Sequence, residues 1–125
     1  MSKTVVTLTS NRLPELIRKL PKEVGEIVEE TALELETEVK SGMAASPSPS
    51  PPDGYPGMDT GNLANSIQSE PESPTVHIVH TSMEYAPYLE FGTVKMDARP
   101  FFGLAASEVE PGFLDKLSKL ESKLR

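Results

Sequence analysis

The residues of this chain that could do chemistry crowd into two short stretches, "TVHIVHT" from Thr75 to Thr81 and "EYAPYLEFGT" from Glu84 to Thr93. Glu84 and Glu90 are the residue type that glycoside hydrolysis uses in pairs, with carboxyl groups about 5 to 9.5 Å apart across the scissile bond. Their spacing of six fits that poorly. On a helix, six steps turn one side chain about 240° away from the other. On a strand the two share a face but sit about 20 Å apart. Local spacing instead assigns Glu84 to a helix cap and Glu90 to an ion pair. A small hydrolase using Glu84, Glu90 and a histidine stays open as an alternative, reached only if distant parts of the chain bring them together. His77 and His80 are three apart, so a strand puts them on opposite faces. A metal would want them two apart on a strand, or three to four apart on a helix. The chain has no cysteine, no glycine-rich phosphate loop and no G-x-S-x-G, so thiolate, nucleotide and serine-nucleophile chemistry have no candidate motif. We assign no catalytic residue, metal ligand or cofactor, and expect a protein that is not an enzyme.

The totals narrow the partners. The chain has 125 residues, enough for one domain around one core. Its net charge of −7 argues against nucleic-acid binding through a basic patch, because that binding rests on Lys and Arg neutralising phosphates. The same charge suits a protein that works beside DNA without adhering to it. "MSKTVVTLTSNRLPEL" has no continuous apolar core of the kind a signal peptide carries, and no run approaches a membrane span.

The elements that must position these residues follow from periodicity. "KTVVTLTS", Lys3 to Ser10, is short and β-branched and reads as a strand. Ser10 or Asn11 can cap a helical turn through "RLPELIRKL", and Pro21 restarts or kinks it. From Lys22 to Ser41, Val24, Ile27, Val28, Ala32, Leu35 and Val39 fall in one stripe about 140° wide, the mark of an amphipathic helix on a core. Glu26, Glu29, Glu30 and Glu36 lie opposite, as a solvated face or as an acidic wall towards something functional. Gly42 is expected to end this helix. "AASPSPSPPDGYPGMDTG" holds five prolines and three glycines; it reads as a flexible arm at about 44–59 that projects outward.

Beyond the arm, Leu63, Asn65 and Ile67 alternate with Ala64, Ser66 and Gln68 as in a half-buried strand. "EPESP" reads as a turn and "TVHIVHT" as the second strand of a hairpin. Thr81 and Glu84 have the spacing of a capping box, with Pro87 in the first turn of a short helix and Gly92 ending it. "VKMDARPFFG" reads as extended, and Pro111-Gly112 is expected to break or sharply kink the helix begun at "FGLAASEVE". Phe113, Leu117, Leu120 and Leu124 then line a C-terminal amphipathic helix. The sum is a single α+β domain, 1–125, with a small antiparallel sheet packed against a long N-terminal amphipathic helix and a C-terminal helix. Tyr85, Tyr88, Phe91, Phe101 and Phe102 concentrate most of the aromatic residues within eighteen positions, as the anchor of a core or of an interface.

"DTGNLANSI", a strand, "EYAPYLEFGT" and "ARPFFGLA", in this order, resemble the head–tail joining or tail-completion (morphogenesis) proteins of long-tailed double-stranded DNA phages. The family pattern falls on Thr60, Gly61, Leu63, Ser66 and Ile67; on Tyr85, Ala86, Glu90, Phe91, Gly92 and Thr93; and on Ala98, Pro100 and Phe101. The resemblance runs from about Lys3 to about Leu117, and the arm here is longer than the family's usual junction. It implies a structural virion protein of phage or prophage origin, made in the host cytoplasm and ending in the neck or tail. The implied partners are copies of itself in a ring, commonly of six, with other neck, portal-side or tail-tube proteins. DNA would pass through the ring without specific binding, and no membrane is involved. In that setting the Glu26, Glu29 and Glu30 face would border the channel. A monomeric adaptor using the proline-rich arm as its ligand is the other alternative.

Overall fold

The computed structural model of the protein describes residues 13–46, 52–57 and 62–124. The expected strand Lys3 to Ser10 lies outside the described residues. Among the described residues seven elements follow one another: α1 (Leu13–Lys19), α2 (Pro21–Ala45), α3 (Asn62–Ser66), β1 (Gln68–Ser73), β2 (Val76–His80), α4 (Ala86–Phe91) and α5 (Phe102–Ser122). The α+β class and the long N-terminal and C-terminal helices are as the sequence indicates.

α1 and α2 are two parts of one kinked rod. Leu20 N–H still donates to Leu16 O at 2.7 Å, and Val24 N–H to Leu20 O at 3.0 Å. Leu20 itself leaves the helical region at φ −135°, ψ 60°. Pro21 causes this, since its ring disfavours helical geometry in the residue before it while suiting the first position of α2. α2 buries Val24, Ala32, Leu35 and Val39, with Ile27 and Val28 half-buried, so the apolar stripe faces the core as expected. The helix does not stop at Gly42. It runs on to Ala45 because Met43, 1% exposed, has a place in the core.

α5 lies along α2 in the opposite direction. One end of the core joins Met43 and Val39 to Phe101, Phe102 and Ala105, and the other joins Leu16 and Val24 to Phe113, Leu117 and Leu120. The expected break at Pro111-Gly112 does not occur, and α5 is continuous through both. Proline there removes one hydrogen bond, a local loss of about 3 kcal/mol in an unsupported helix. Val109 and Phe113, buried on either side of it, hold both halves of the helix against α2. Each large apolar side chain so buried contributes about 1.5–3 kcal/mol, so tertiary packing outweighs the local preference.

The sheet is a hairpin of β1 and β2 in antiparallel register, with Gln68 opposite His80 and Pro71 opposite His77. Two expectations shift here. Leu63 to Ser66 is helical, not extended: Leu63, Ala64 and Ile67 are the buried positions, a spacing of one and three that belongs to a helical turn. "EPES" is strand, and the turn falls at Pro74 and Thr75. Pro71 is tolerated because, among the described residues, β1 is an edge strand, with a register shift between Pro71 and Ser73.

Candidate assembly surface

The block Glu84 to Phe102 folds into a bracket at the end of the molecule where α2 finishes and α5 begins. α4 is a helix of six residues with Pro87 in its first turn. Too short to hold itself, it is fixed from three sides. Ala86 is fully buried and Leu89 packs against the core. Leu89 O accepts the Arg99 N–H at 2.6 Å. Glu90 reaches across to α5, where its Oε1 accepts the N–H groups of Phe101 (3.2 Å) and Phe102 (3.0 Å) and its Oε2 that of Gly103 (3.2 Å).

This corrects the assignment of the two glutamates. Glu90 is the cap, placing a negative charge on the unpaired donors at the start of α5, where the helix dipole favours it. Glu84 sits exposed in the turn before α4, whose first flanking residue is Tyr85, so Thr81 and Glu84 form no capping box. The Thr81 hydroxyl instead accepts the Met83 N–H at 3.2 Å and meets Ser66 Oγ at 2.6 Å. Ser66 donates to Leu63 O at 2.6 Å, so Thr81 is the donor between them. That pair ties α3 to the end of β2.

Gly92 ends α4 at φ 75°, ψ 175°, and its N–H donates to Tyr88 O at 2.8 Å. A tight turn follows, not the extended run expected, with Thr93 paired to Met96 and Thr93 Oγ1 accepting the Lys95 N–H at 3.2 Å. Pro100 is half-buried, and Phe101 and Phe102 are fully buried with their rings 4.7 Å apart.

The aromatic cluster therefore divides. Phe101 and Phe102 are core, whereas Tyr85, Tyr88 and Phe91 are 40%, 58% and 77% exposed and Val94 is fully exposed. Tyr85, at the start of α4, Tyr88 and Phe91 recur every three residues, so they form a row that winds along the helix away from the buried Ala86. The bracket thus presents an apolar ridge from a helix anchored at both ends. Of the other expected site residues, Leu63 and Ile67 are core, and Thr60 and Gly61 lie outside the described residues.

The arm does not project outward over its described part. Residues 52–57 lie on the body. Ser46 Oγ donates to Tyr55 O at 2.6 Å, the Asp53 N–H donates to Ala98 O at 2.7 Å, and Pro56 is buried. The Tyr55 ring rests where Gly42 has no side chain; a Cβ there would collide with the ring. The sequence gives little sign of this contact, since a glycine inside a helix and a tyrosine thirteen positions on share no local pattern. Burial, then the carboxylates of Glu38 and Glu108, push the Tyr55 hydroxyl up to about 12. Because the folded value is raised, the stabilisation is whole below the ordinary tyrosine range near 10 and is lost as pH climbs from there to about 12. Ultraviolet titration of the wild type minus Tyr55→Phe is expected to show one phenol ionising late, together with loss of the Tyr55 contacts.

The two histidines separate as expected. His77 lines an open groove of about 480 Å³ between β1, the hairpin turn and the start of α2, beside Lys22, Glu26 and Glu29. His80 Nε2 lies 3.2 Å from the Glu70 carboxylate on the paired strand. On the acidic side of α2, Glu26 and Glu29 are exposed, but Glu30 is engaged. Lys116 of α5 bridges Glu34 at 2.9 Å and Glu30 at 3.0 Å. These bonds, Glu34 first, hold the Lys116 ammonium above the usual lysine range. Among the described residues no helix is long and apolar enough to cross a membrane.

Comparison with protein-family models, with curated proteins and with solved structures finds no match to this chain.

Proposed function

We propose that the chain is a structural subunit of the head–tail junction of a long-tailed phage, associating with copies of itself into a ring around the path of the DNA. The carrying observation is the ridge of Tyr85, Tyr88, Phe91 and Val94. Four large apolar side chains stand in solvent, three along α4 and its first flanking residue and Val94 on the turn that follows, and α4 is held by the core, by Glu90 and by the Leu89–Arg99 bond. Aromatic side chains on a preorganised frame bury much area at little entropic cost and are the usual anchors of protein interfaces. A ring requires a heterologous contact that closes, in which one surface of a subunit meets a different surface of the next.

Two further features support the reading. The net charge of −7 and the exposed Glu26 and Glu29 suit a wall that DNA passes without adhering. Both carboxylate oxygens of Glu90 accept backbone N–H groups at the start of α5, which favours a structural role for this residue over that of the second acid in the hydrolase alternative. The test is Tyr88→Asp combined with Phe91→Asp. Both side chains point to solvent, so the thermal midpoint is expected to hold within about 2 °C. Light scattering and electron microscopy at high protein concentration are expected to show rings for the wild type and monomers for the variant. A wild type that stays monomeric throughout, or a variant that assembles equally well, rejects the proposal.

A further inference from the structure

The described part of the arm packs on the core through Tyr55 and buries Pro56, and contacts of three further kinds fix its backbone and the Tyr55 ring. Tyr55 lays its ring against the backbone of α2 at Gly42. Ser46, just past the end of α2, donates to the carbonyl of that same tyrosine at 2.6 Å. Asp53 donates its N–H to Ala98 O at 2.7 Å. Against these stands a cost in the same segment, because Asp53 sits at φ 60°, a left-handed conformation that an L side chain adopts under constraint. A six-residue segment outside any helix or strand, with one residue in the left-handed region, opens more readily than α2 or α5, where local opening is rarest.

Ala98 is the residue on which this segment and the ridge converge. Its carbonyl takes the Asp53 N–H. Its backbone nitrogen and Cα lie 2.9 Å and 3.2 Å from the place where Gly92 would carry a Cβ. The next residue, Arg99, donates to Leu89 O of α4 at 2.6 Å. Val94 therefore sits on a loop whose return strand is fixed on one side by α4 and on the other by the arm.

We propose that residues 52–57 act as a strap whose docking sets the shape of the 92–99 turn and hence the Val94 end of the apolar ridge. With the strap seated, Ala98 is clamped between Asp53 and Gly92. With it lifted, Ala98 O loses the Asp53 donor, and the turn keeps only its tie to α4 and its own Thr93–Met96 pairing. Strap docking and ridge geometry thus favour one another, and by reciprocity a contact that fixes the ridge also seats the strap. Tyr55 is a positioning residue in this device. The consequence for assembly rests on the self-association proposed above; the coupling between strap and turn does not.

The experiment is amide hydrogen exchange by nuclear magnetic resonance on the full chain, comparing wild type with Gly42→Ala, Tyr55→Ala and Tyr55→Phe. Gly42→Ala is the central variant. It alters no strap residue, it improves the helix propensity of α2, and its methyl displaces the Tyr55 ring. Exchange is expected to accelerate by about fivefold or more at Asp53, the fraction that one hydrogen bond represents. An acceleration in parallel is expected at Arg99 and Thr93, in both Gly42→Ala and Tyr55→Ala. Tyr55→Phe keeps the ring and is expected to stay near wild type at all three amides. Faster exchange at Asp53 with Arg99 and Thr93 unchanged would overturn the coupling, as would an Asp53 amide indifferent to Gly42→Ala. Light scattering on the same samples keeps the two ideas apart. Coupled exchange in a chain that never associates sinks the ring and leaves the strap, and association with uncoupled exchange does the reverse.

Discussion

Gly92→Val is expected to destabilise the fold by about 4 kcal/mol, a large share of the 5–15 kcal/mol that holds a domain of this size together. Two independent penalties add. The backbone at φ 75°, ψ 175° lies in a region that glycine alone populates freely, which costs any other residue about 1–3 kcal/mol and a β-branched one most. A Cβ at that place would then lie 2.9 Å from both Met96 O and Ala98 N, which are backbone atoms with little room to retreat. Gly92→Ala carries the same first contact with less bulk and is expected to fall between. Urea unfolding followed by circular dichroism measures both. A valine variant as stable as wild type would mean that the turn adopts another conformation in solution.

Glu90→Ala is expected to cost about 2–3 kcal/mol, more than an ordinary cap, because one side chain serves three donors at the start of α5. Glu90→Gln separates the contributions. Oε1 alone accepts from Phe101 and Phe102, so an amide oxygen placed there keeps two bonds and loses the third together with the charge. About 1 kcal/mol is expected for it. Guanidinium unfolding at fixed ionic strength distinguishes the two values. Equal losses for alanine and glutamine would mean that the charge, not the hydrogen bonds, holds the helix start. Both variants also loosen α4, because the bonds of Glu90 tie it to the start of α5, so the ridge should lose order along with α5.

These predictions concern neighbours two positions apart, yet the sequence exposes them unequally. Gly92 at the end of a short apolar run is a local signal, and its role as a helix terminator is legible without coordinates. Glu90 is not. Its partners lie eleven to thirteen residues away, on the first turn of a helix whose start no cap-type residue announces. The same division holds elsewhere. The stripe of α2, the restart at Pro21 and the strand Val76–His80 follow from spacing, because a period of 3.6 or 2 is a property of the chain itself.

What folding in three dimensions decided is where a local preference met a stronger partner. Pro111 stays inside α5 since apolar burial on both sides outweighs a missing hydrogen bond. Leu63 to Ser66 took the helical option because three of its apolar groups, counting Ile67, could reach the core only at helical spacing. The aromatic residues of one eighteen-residue window, alike in composition, parted into a buried pair and an exposed ridge. Composition states how much apolar surface a segment carries. Which of it is covered depends on contacts between residues far apart along the chain, and those are settled only when α2, α5 and the bracket between them close on one another.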